Sequence, residues 1–238
     1  RRHRFRHATA ISQVAFEPSH SCGGLVSPAT MEPVDYRLVQ IQDEIRSAFS
    51  WSVESDLNSA QLLNSACNNP RFELKLSGKV AIVGADAKKG VSTDLPMLVA
   101  DGAIGAIEDL SGVVAVVSDG DGFPHLDLAI KAKLPIFLHA HGDNIESWTE
   151  VLAKIDEEFP VNLTHQTPSE IEGMYNPGGF TDGDRAVCIA LALGAEEIEL
   201  IGFSTDQVGI WSGVTDKKRK LKKLKWMRRV LSLLSLDV

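Results

Sequence analysis

Aspartates recur directly after short apolar runs in this sequence. Asp101 follows "MLVA", the pair Asp119 and Asp121 follows "VVAVVS", and Asp143 with Asn144 follows "PIFLHAHG". Carboxylate oxygens without thiolates favour Mg²⁺, Ca²⁺ or Mn²⁺, and Mg²⁺ is commonly bound by one or two carboxylates together with substrate phosphates. The spacing of Asp119 and Asp121 predicts the best such pair. Each segment alone is also an ordinary turn, since Asp and Gly are common turn residues.

The segment "GGFTDGDRAV" (178–187) has two interpretations. Thr181 and Asp184 fit a capping box at a helix start. Alternatively, Asp182 and Asp184 lie at a helix N-terminus beside glycines that permit close backbone approach, and there they would bind a cation and phosphates. Because this segment is one of several acidic loops, the second interpretation is favoured.

His139 and His141 would share one face of a strand, since side chains two apart point the same way. Such a pair is compatible with zinc, but no third ligand of suitable spacing is evident. We expect the two histidines to contact substrate or to be packed, hydrogen-bonded residues at a strand end.

Familiar phosphate-binding motifs are missing. The sequence has no G-x-G-x-x-G, and "GADAKKGVS" (84–92) differs from a P-loop because Lys89 precedes Gly90. The absence of both motifs argues against a Walker-type NTPase and a standard dinucleotide dehydrogenase.

The elements that must position these residues alternate between strand and helix. The predicted strands are 79–84, 97–100, 113–118, 135–141, 161–165 and 198–202. The predicted helices between them lie near 103–110, 124–133, 146–158 and 182–194. Such alternation predicts an α/β fold with a mostly parallel sheet flanked by helices, in which ligands bind beyond the carboxyl ends of the strands.

Three further regions complete the predicted organisation. Residues 1–30 are expected to be a poorly ordered arm, with a transit peptide as the alternative. Residues 31–75 form a helical preface with two helices, and residues 76–238 form the catalytic domain. That domain ends in a basic amphipathic helix, which either docks on the body, draws in ATP, forms a dimer or binds a membrane surface.

Charge and composition narrow the function classes. Residues 216–238 contain nine Lys/Arg against two Asp, and residues 1–10 contain four Arg, within a chain of net charge −8. The remainder is therefore strongly acidic, which argues against a general nucleic-acid binder. Three dispersed cysteines and the lack of a ~20-residue apolar run predict a cytoplasmic protein without a transmembrane segment.

Several blocks, in this order, resemble one family: "ADGA", "SDGDG", "HAHGDN", "GGFTDGDRAV", "LIGF" and "KKRKL". They look like the archaeal 6-hydroxymethyl-7,8-dihydropterin pyrophosphokinases, also called MptE-like, over about 36–235. The resemblance implies a thiamin-pyrophosphokinase-like fold. It also implies transfer of diphosphate from ATP to a reduced pterin, with release of AMP, in pterin cofactor biosynthesis.

Together, the residues and the resemblance give a set of expected roles. Mg²⁺ or Mn²⁺ is expected on Asp119, Asp121 and Asp182, with Asp184 and Arg185 as further catalytic residues. Substrate and nucleotide contacts are expected at Gly84, Asp101, Gly102, His139, His141, Gly142, Asp143, Asn144, Gly178, Gly179, Thr181, Lys217 and Lys218. The expected partners are ATP and a pterin, with a homodimer left open.

Two other function classes stay open from the sequence. The same blocks resemble parts of motility-associated glycosyltransferases, which would use a nucleotide sugar. A non-catalytic nucleotide- or metal-binding protein would keep the fold without turnover, and fold alone does not decide among these classes.

Overall fold

A single parallel sheet organises the part of the chain that the structure describes. The computed structural model describes residues 31–213 and 216–238, so the predicted arm at 1–30 lies outside it. Within these ranges seven strands pair in the order β6-β5-β4-β3-β2-β1-β7, and every pairing is parallel. The strands are β1 (Lys79–Val83), β2 (Met97–Ala100), β3 (Val113–Ser118), β4 (Ile136–Ala140), β5 (Val161–His165), β6 (Met174–Tyr175) and β7 (Glu197–Ile201). The predicted α/β class is confirmed.

Helices cover both faces of this sheet. They are α1 (Arg37–Phe49), α2 (Val53–Ala66), α3 (Leu126–Lys131), α4 (Ile145–Lys154), α5 (Asp182–Ala192) and α6 (Lys217–Leu233). In β1, Val80 and Ile82 pack against α5 and α6, whereas Ala81 and Val83 join a core that includes α2, α3 and α4. Because a parallel sheet is buried on both faces, its strands read as continuous apolar runs, and this explains why the sequence revealed them.

The two helices of the preface pack on the same body. α2 lies on β4 and β5, and α1 lies on α6. Leu38, Ile41 and Ile45 of α1 are buried with Val230 of α6 and Phe180, the residue that leads into α5. The preface therefore covers the end of the sheet at which α5 begins.

The C-terminal helix docks on the body through its apolar stripe. Leu224, Met227, Val230 and Leu231 of α6 are buried, while most of its basic residues are exposed. The docking interpretation of this helix is confirmed. Among the described residues, none of the helices combines the length and the apolar character needed to cross a membrane.

One local prediction was wrong, and one strand was not predicted. The stretch predicted as a helix near 103–110 forms 3-10 turns, Asp101–Ala106 and Leu110–Gly112, because its glycines disfavour an α-helix. Strand β6 was missed, since two residues are too few to give a periodic signal.

The loops after β1 and β7 pack tightly against each other at the carboxyl end of the sheet. Gly202 has φ +71°, and a Cβ at this position would lie 2.1 Å from the Ala87 nitrogen. The Asp86 N–H donates to the Gly202 carbonyl (2.9 Å), and the Trp211 N–H donates to the Ala85 carbonyl (3.0 Å). Glycine at 202 is therefore required both by the backbone angle and by the close approach.

We predict that Gly202→Ala lowers the free energy of unfolding by roughly 3 kcal/mol, because the new methyl adds a backbone clash to the left-handed strain. Gly90→Ala is the matched control, since Gly90 has φ +89° and open space around it. That control should cost only about 1 kcal/mol. Urea denaturation of both variants measures the difference, and equal losses would contradict the packing argument.

Candidate active site

Three aspartates from neighbouring loops meet beyond the carboxyl ends of β2 and β3. Asp101 follows β2, and Asp119 and Asp121 follow β3. One carboxylate oxygen of each lies within 4.8 Å of the other two. Asp101 is buried, Asp119 is partly buried and Asp121 is exposed. An all-oxygen set of this kind suits Mg²⁺ or Mn²⁺.

Asp101 has a strained backbone conformation, and one short hydrogen bond holds its side chain. Its φ is +46°, a left-handed conformation that costs a non-glycine residue about 1 kcal/mol or more. The Ser118 hydroxyl donates to Asp101 Oδ1 (2.5 Å) and accepts from the Gly120 N–H (2.9 Å). Ser118 therefore ties the β2 carboxylate to the loop that carries the other two.

The gathered carboxylates change one another's protonation. Burial raises the pKa of Asp101 well above its usual value, and the negative charges of Asp182, Asp121 and Asp119 raise it further. Although part of Asp121 is exposed to solvent, the neighbouring chain desolvates its carboxylate, and this desolvation with the charge of Asp119 likewise raises the pKa of Asp121. Burial together with Asp119 and Asp121 raises the pKa of Asp182 to about 7. A bound cation would relieve this repulsion, because it stabilises all the ionised forms at once.

Asp119 differs from its neighbours because positive groups surround it. Burial opposes ionisation, but the hydrogen bond and charge of His141, with the charges of Lys223 and Lys220, hold the pKa of Asp119 well below its usual value. His141 Nε2 lies 3.2 Å from Asp119 Oδ2, and its Nδ1 lies 2.7 Å from Asp143 Oδ1. Although burial lowers the pKa of His141, these two carboxylates raise it to about 9, so the imidazole is protonated at neutral pH.

Asn144 fixes the histidine loop to the aspartate loop. Its Nδ2 donates to the carbonyls of Asp119 and His139, each at 2.8 Å, and its Oδ1 accepts from the His141 N–H (2.9 Å). The Asn144 side chain, which was predicted to contact substrate, therefore bonds to three backbone groups. This side chain links the loop after β3 to the loop after β4.

A second polar layer lies beneath the aspartates. Arg185 is 1% exposed; its Nη2 donates to the Phe180 carbonyl (3.0 Å), while Nε and Nη1 have no partner in the described ranges. His139 Nδ1 lies 3.0 Å from Thr164 Oγ1. Burial, followed by the charge of Arg185, lowers the pKa of His139 well below its usual value, so it is neutral. Neither His139 nor His141 belongs to the acidic metal cluster that the described residues form.

Asp184 occupies the capping position rather than the cleft. Its Oδ2 accepts from the Phe180 N–H (2.7 Å) and its Oδ1 from the Thr181 N–H (2.8 Å). The side chain is fully buried. The capping-box interpretation of the opening of α5 is therefore confirmed for Thr181 and Asp184. Asp182 lines the cleft, and its role in binding a cation stays a prediction.

A cleft of about 570 Å³, including its open mouth, lies beside the triad. Its walls are formed by the loops after β1, β2, β3 and β7, by the N-terminus of α5 and by one side of α6. Its lining includes Gly84, Asp86, Asp101, Asp121, Thr181, Asp182, Gly183, Gly202, Phe203, Gln207, Gly209, Trp211, Gly213 and Lys220. The cleft opens where β1 meets β7. The strand order reverses at this point, since β2 to β6 lie on one side of β1 and β7 lies on the other. Ligands commonly bind at such a point in open parallel sheets.

Other predicted residues lie elsewhere. A Cβ at Gly102 would meet the Trp211 carbonyl, one at Gly178 would meet Leu38, and one at Gly179 would meet the Arg185 backbone, so these three glycines serve packing. Lys217 and Lys218 are exposed in the first turn of α6 and are not among the residues that line the cleft.

Lysine 220 was missed as a site residue. Lys220 precedes the buried Leu224 by four positions, and Lys223 likewise precedes Met227. Residues four apart share a helix face, so the apolar period of α6 contained the signal that these two lysines face the body. No comparable signal in the sequence pointed to Trp211 or Gln207.

A parallel α/β sheet with a carboxylate triad, a helix N-terminus and a lysine around one cleft is typical of the class of enzymes that transfer phosphoryl groups. No protein-family model matches the chain. It is 34% identical to the 6-hydroxymethyl-7,8-dihydropterin pyrophosphokinase of Pyrococcus furiosus, over 81% of this chain and 90% of that protein. It is 37% identical to the protein of the same name from Methanothermobacter thermautotrophicus over 51% of this chain and 52% of that protein. A third, from Methanocaldococcus jannaschii, is 29% identical over 68% and 76%. The chain belongs to the 6-hydroxymethyl-7,8-dihydropterin pyrophosphokinase family.

We predict a pH-dependent effect of Asp182→Asn on the metal-free protein. The pKa of Asp182 rises from 3.8 to about 7 on folding, so its stabilising contribution is present below about pH 4 and is lost as the pH rises to about 7. The variant should gain roughly 2 kcal/mol over the wild type at about pH 8 and little at about pH 4. Denaturation in EDTA measures this gain.

The control for this experiment is Asp94→Asn, an exposed aspartate near the amino end of β2. Its effect on stability should not change with pH. A gain for Asp182→Asn that is the same at every pH would contradict the assigned repulsion.

Proposed function

We propose that the chain transfers diphosphate from ATP to the hydroxymethyl group of 6-hydroxymethyl-7,8-dihydropterin, releasing AMP, with Mg²⁺ or Mn²⁺ as cofactor. The observation that carries the proposal is the triad of Asp101, Asp119 and Asp121, of which Asp101 and Asp121 line the cleft, in a chain that belongs to this family.

The residues present fit a divalent cation. Asp101, Asp119 and Asp121 would hold it, and Asp182 across the cleft would bind it directly or through water. The raised pKa values of Asp101, Asp121 and Asp182 support this fit, since their ionised forms lack enough positive charge nearby. When bound, the cation neutralises charge on the phosphates and orients them.

The protein itself supplies further positive charge for the phosphates. Lys220 lines the cleft, and so do Asp182 and Gly183 in the first turn of α5. A helix N-terminus favours anions through its free N–H groups and its dipole. This arrangement replaces the glycine-rich phosphate loop that the sequence lacks.

The proposed chemistry is an in-line displacement at the β-phosphorus. The hydroxymethyl oxygen of the pterin forms a bond to Pβ, and the bond between Pβ and the oxygen bridging to Pα breaks. AMP leaves with that oxygen, and the hydroxyl proton is released. Phosphoryl transfer depends mainly on positioning and charge stabilisation, so no covalent nucleophile is needed.

Two buried groups take positioning roles in this proposal. Arg185 places a fixed positive charge near Asp182 and Asp119. Burial lowers the pKa of its guanidinium, and the charges of these carboxylates oppose that effect. Asp184 holds the first turn of α5, so that Asp182 faces the cleft.

We predict that Asp119→Asn and Asp121→Asn each lower kcat/KM by at least about 10²-fold, because loss of a cation-held charge typically costs several kcal/mol in the transition state. Asp94→Asn is the control and should retain wild-type turnover. Thermal melts should show folded protein in all three. Near-normal activity of both site variants would refute the assignment of the cation.

We predict that AMP forms in step with pterin consumption, and only with Mg²⁺ or Mn²⁺ present. An attack at Pγ would give ADP, and a glycosyltransferase would leave ATP intact while consuming a nucleotide sugar. Chromatographic separation of nucleotides after incubation with and without the pterin distinguishes these cases. ADP as the main product, or turnover of a nucleotide sugar alone, would contradict the proposed function.

A further inference from the structure

A second pocket is lined by His141, the residue that pairs with Asp119 of the triad. It encloses about 550 Å³, including its open mouth. Its walls come from the turn between α1 and α2, the first turn of α2 and the loop after β4. They are Ser50, Trp51, Ser52, Ser55, Asp56, His141, Gly142 and Asp143. The ATP cleft described above shares none of these residues.

One dipeptide joins the two pockets. The His141 side chain contacts Asp119 in the cation triad (3.2 Å), and the Gly142 N–H donates to Asp56 Oδ1 in the second pocket (2.8 Å). Asp119 and Asp56 therefore contact two consecutive residues of the loop after β4. A small molecule in the second pocket would have its near end beside the cation site.

The floor of the second pocket is a buried carboxylate. Asp56 is 2% exposed, and its Oδ2 accepts from Gln166 Nε2 (3.0 Å) and lies 3.4 Å from Arg46 Nη1. Its Oδ1 accepts only from Gly142 among the described residues. Because a carboxylate oxygen has two lone pairs, Oδ1 keeps one for a ligand donor.

One wall of the pocket is aromatic. Trp51 is half-buried and stacks on Phe49 with ring centroids 4.6 Å apart. Arg219 and Lys223 of α6 lie 5.5 and 5.6 Å from the Trp51 ring. An indole fixed in this way offers a rigid apolar surface to a flat ring.

We infer that this second pocket binds the pterin, with the 2-amino group of the ring donating to Asp56 Oδ1 and the ring lying against Trp51. The inference rests on the proposed function. The 2-amino group and the 6-hydroxymethyl group lie at opposite ends of the bicyclic ring. With the amino end on Asp56, the hydroxymethyl end points past His141 toward the cation triad, where the β-phosphate would lie. The preface helices then build the acceptor site.

The first test measures pterin binding without turnover. The dissociation constant of 6-hydroxymethyl-7,8-dihydropterin is measured with Mg²⁺ and α,β-methylene-ATP, an analogue whose reacting bond cannot break. Trp51→Ala should weaken pterin binding at least about tenfold, and Trp51→Phe should restore most of it. Binding of the ATP analogue should change by less than about twofold in both variants.

Trp226→Ala is the matched control, since Trp226 packs against the same hydrophobic cluster as Trp51 but does not line the pocket. It should lower stability without weakening pterin binding. Equal pterin affinity in Trp51→Ala and the wild type would overturn the inference.

The second test changes ligand and protein together. Replacing the 2-amino group by an oxo group, as in 6-hydroxymethyl-7,8-dihydrolumazine, removes the donor and sets an oxygen against the Asp56 carboxylate. The wild type should bind this analogue at least about tenfold more weakly than the pterin, because a buried polar group is left unpaired. In Asp56→Asn that preference should fall to within about threefold, since an amide can also donate.

A preference that persists unchanged in Asp56→Asn would refute the contact. If Asp56→Asn does not fold, the Trp51 variants still decide the inference. A wild type that binds pterin in this pocket but forms no AMP would refute the proposed function alone. A wild type that forms AMP while the Trp51 variants bind pterin normally would refute the pocket alone.

Discussion

Repulsion among carboxylates at one end of the sheet is the constraint on which the rest of the structure depends. Strand ends bring Asp101, Asp119 and Asp121 within a few ångströms, and α5 adds Asp182. In water such a cluster would disperse, but here the backbone holds it. The positive groups that face it come from three separate elements: the loop after β4, α5 and α6. The basic C-terminal helix of an otherwise acidic chain therefore has a local electrostatic role, besides closing the core.

The loop after β4 connects this charge balance to the second pocket. His141 pairs with Asp119 and Asp143, while Asn144 ties the loop to the backbone on both sides. Gly142 lies so close to α2 that a Cβ would be 2.7 Å from the Ser55 side chain. Two short contacts therefore link α2 to the triad, from Asp56 to Gly142 and from His141 to Asp119. This connection gives the preface helices a direct part in the site, although they lie outside the alternating α/β pattern.

Much of the fold followed from the sequence because both faces of a parallel sheet are buried. Strands β2, β3 and β5 begin and end at the predicted residues, and the other long strands differ by about one residue at an end. The missed elements have local reasons. β6 is two residues long, and the glycines between β2 and β3 favour tight turns over an α-helix. The docking of α6 was also readable, since its apolar residues repeat at helical spacing.

For the site, the sequence by itself determined which residue types gather at the strand ends: acidic loops, a helix start with two aspartates, and a histidine pair. These are properties of short segments, where strand direction fixes the end at which a side chain lies. Only the tertiary structure decided that Asp101 joins Asp119 and Asp121, and that the loops after β1 and β7 enclose one cleft with α6. It alone brought Trp51 and Asp56 beside His141. Those outcomes depend on contacts between residues far apart in the sequence, such as Gly142 and Asp56, which are 86 positions apart. Such contacts are set by how helices pack on the sheet rather than by any local pattern.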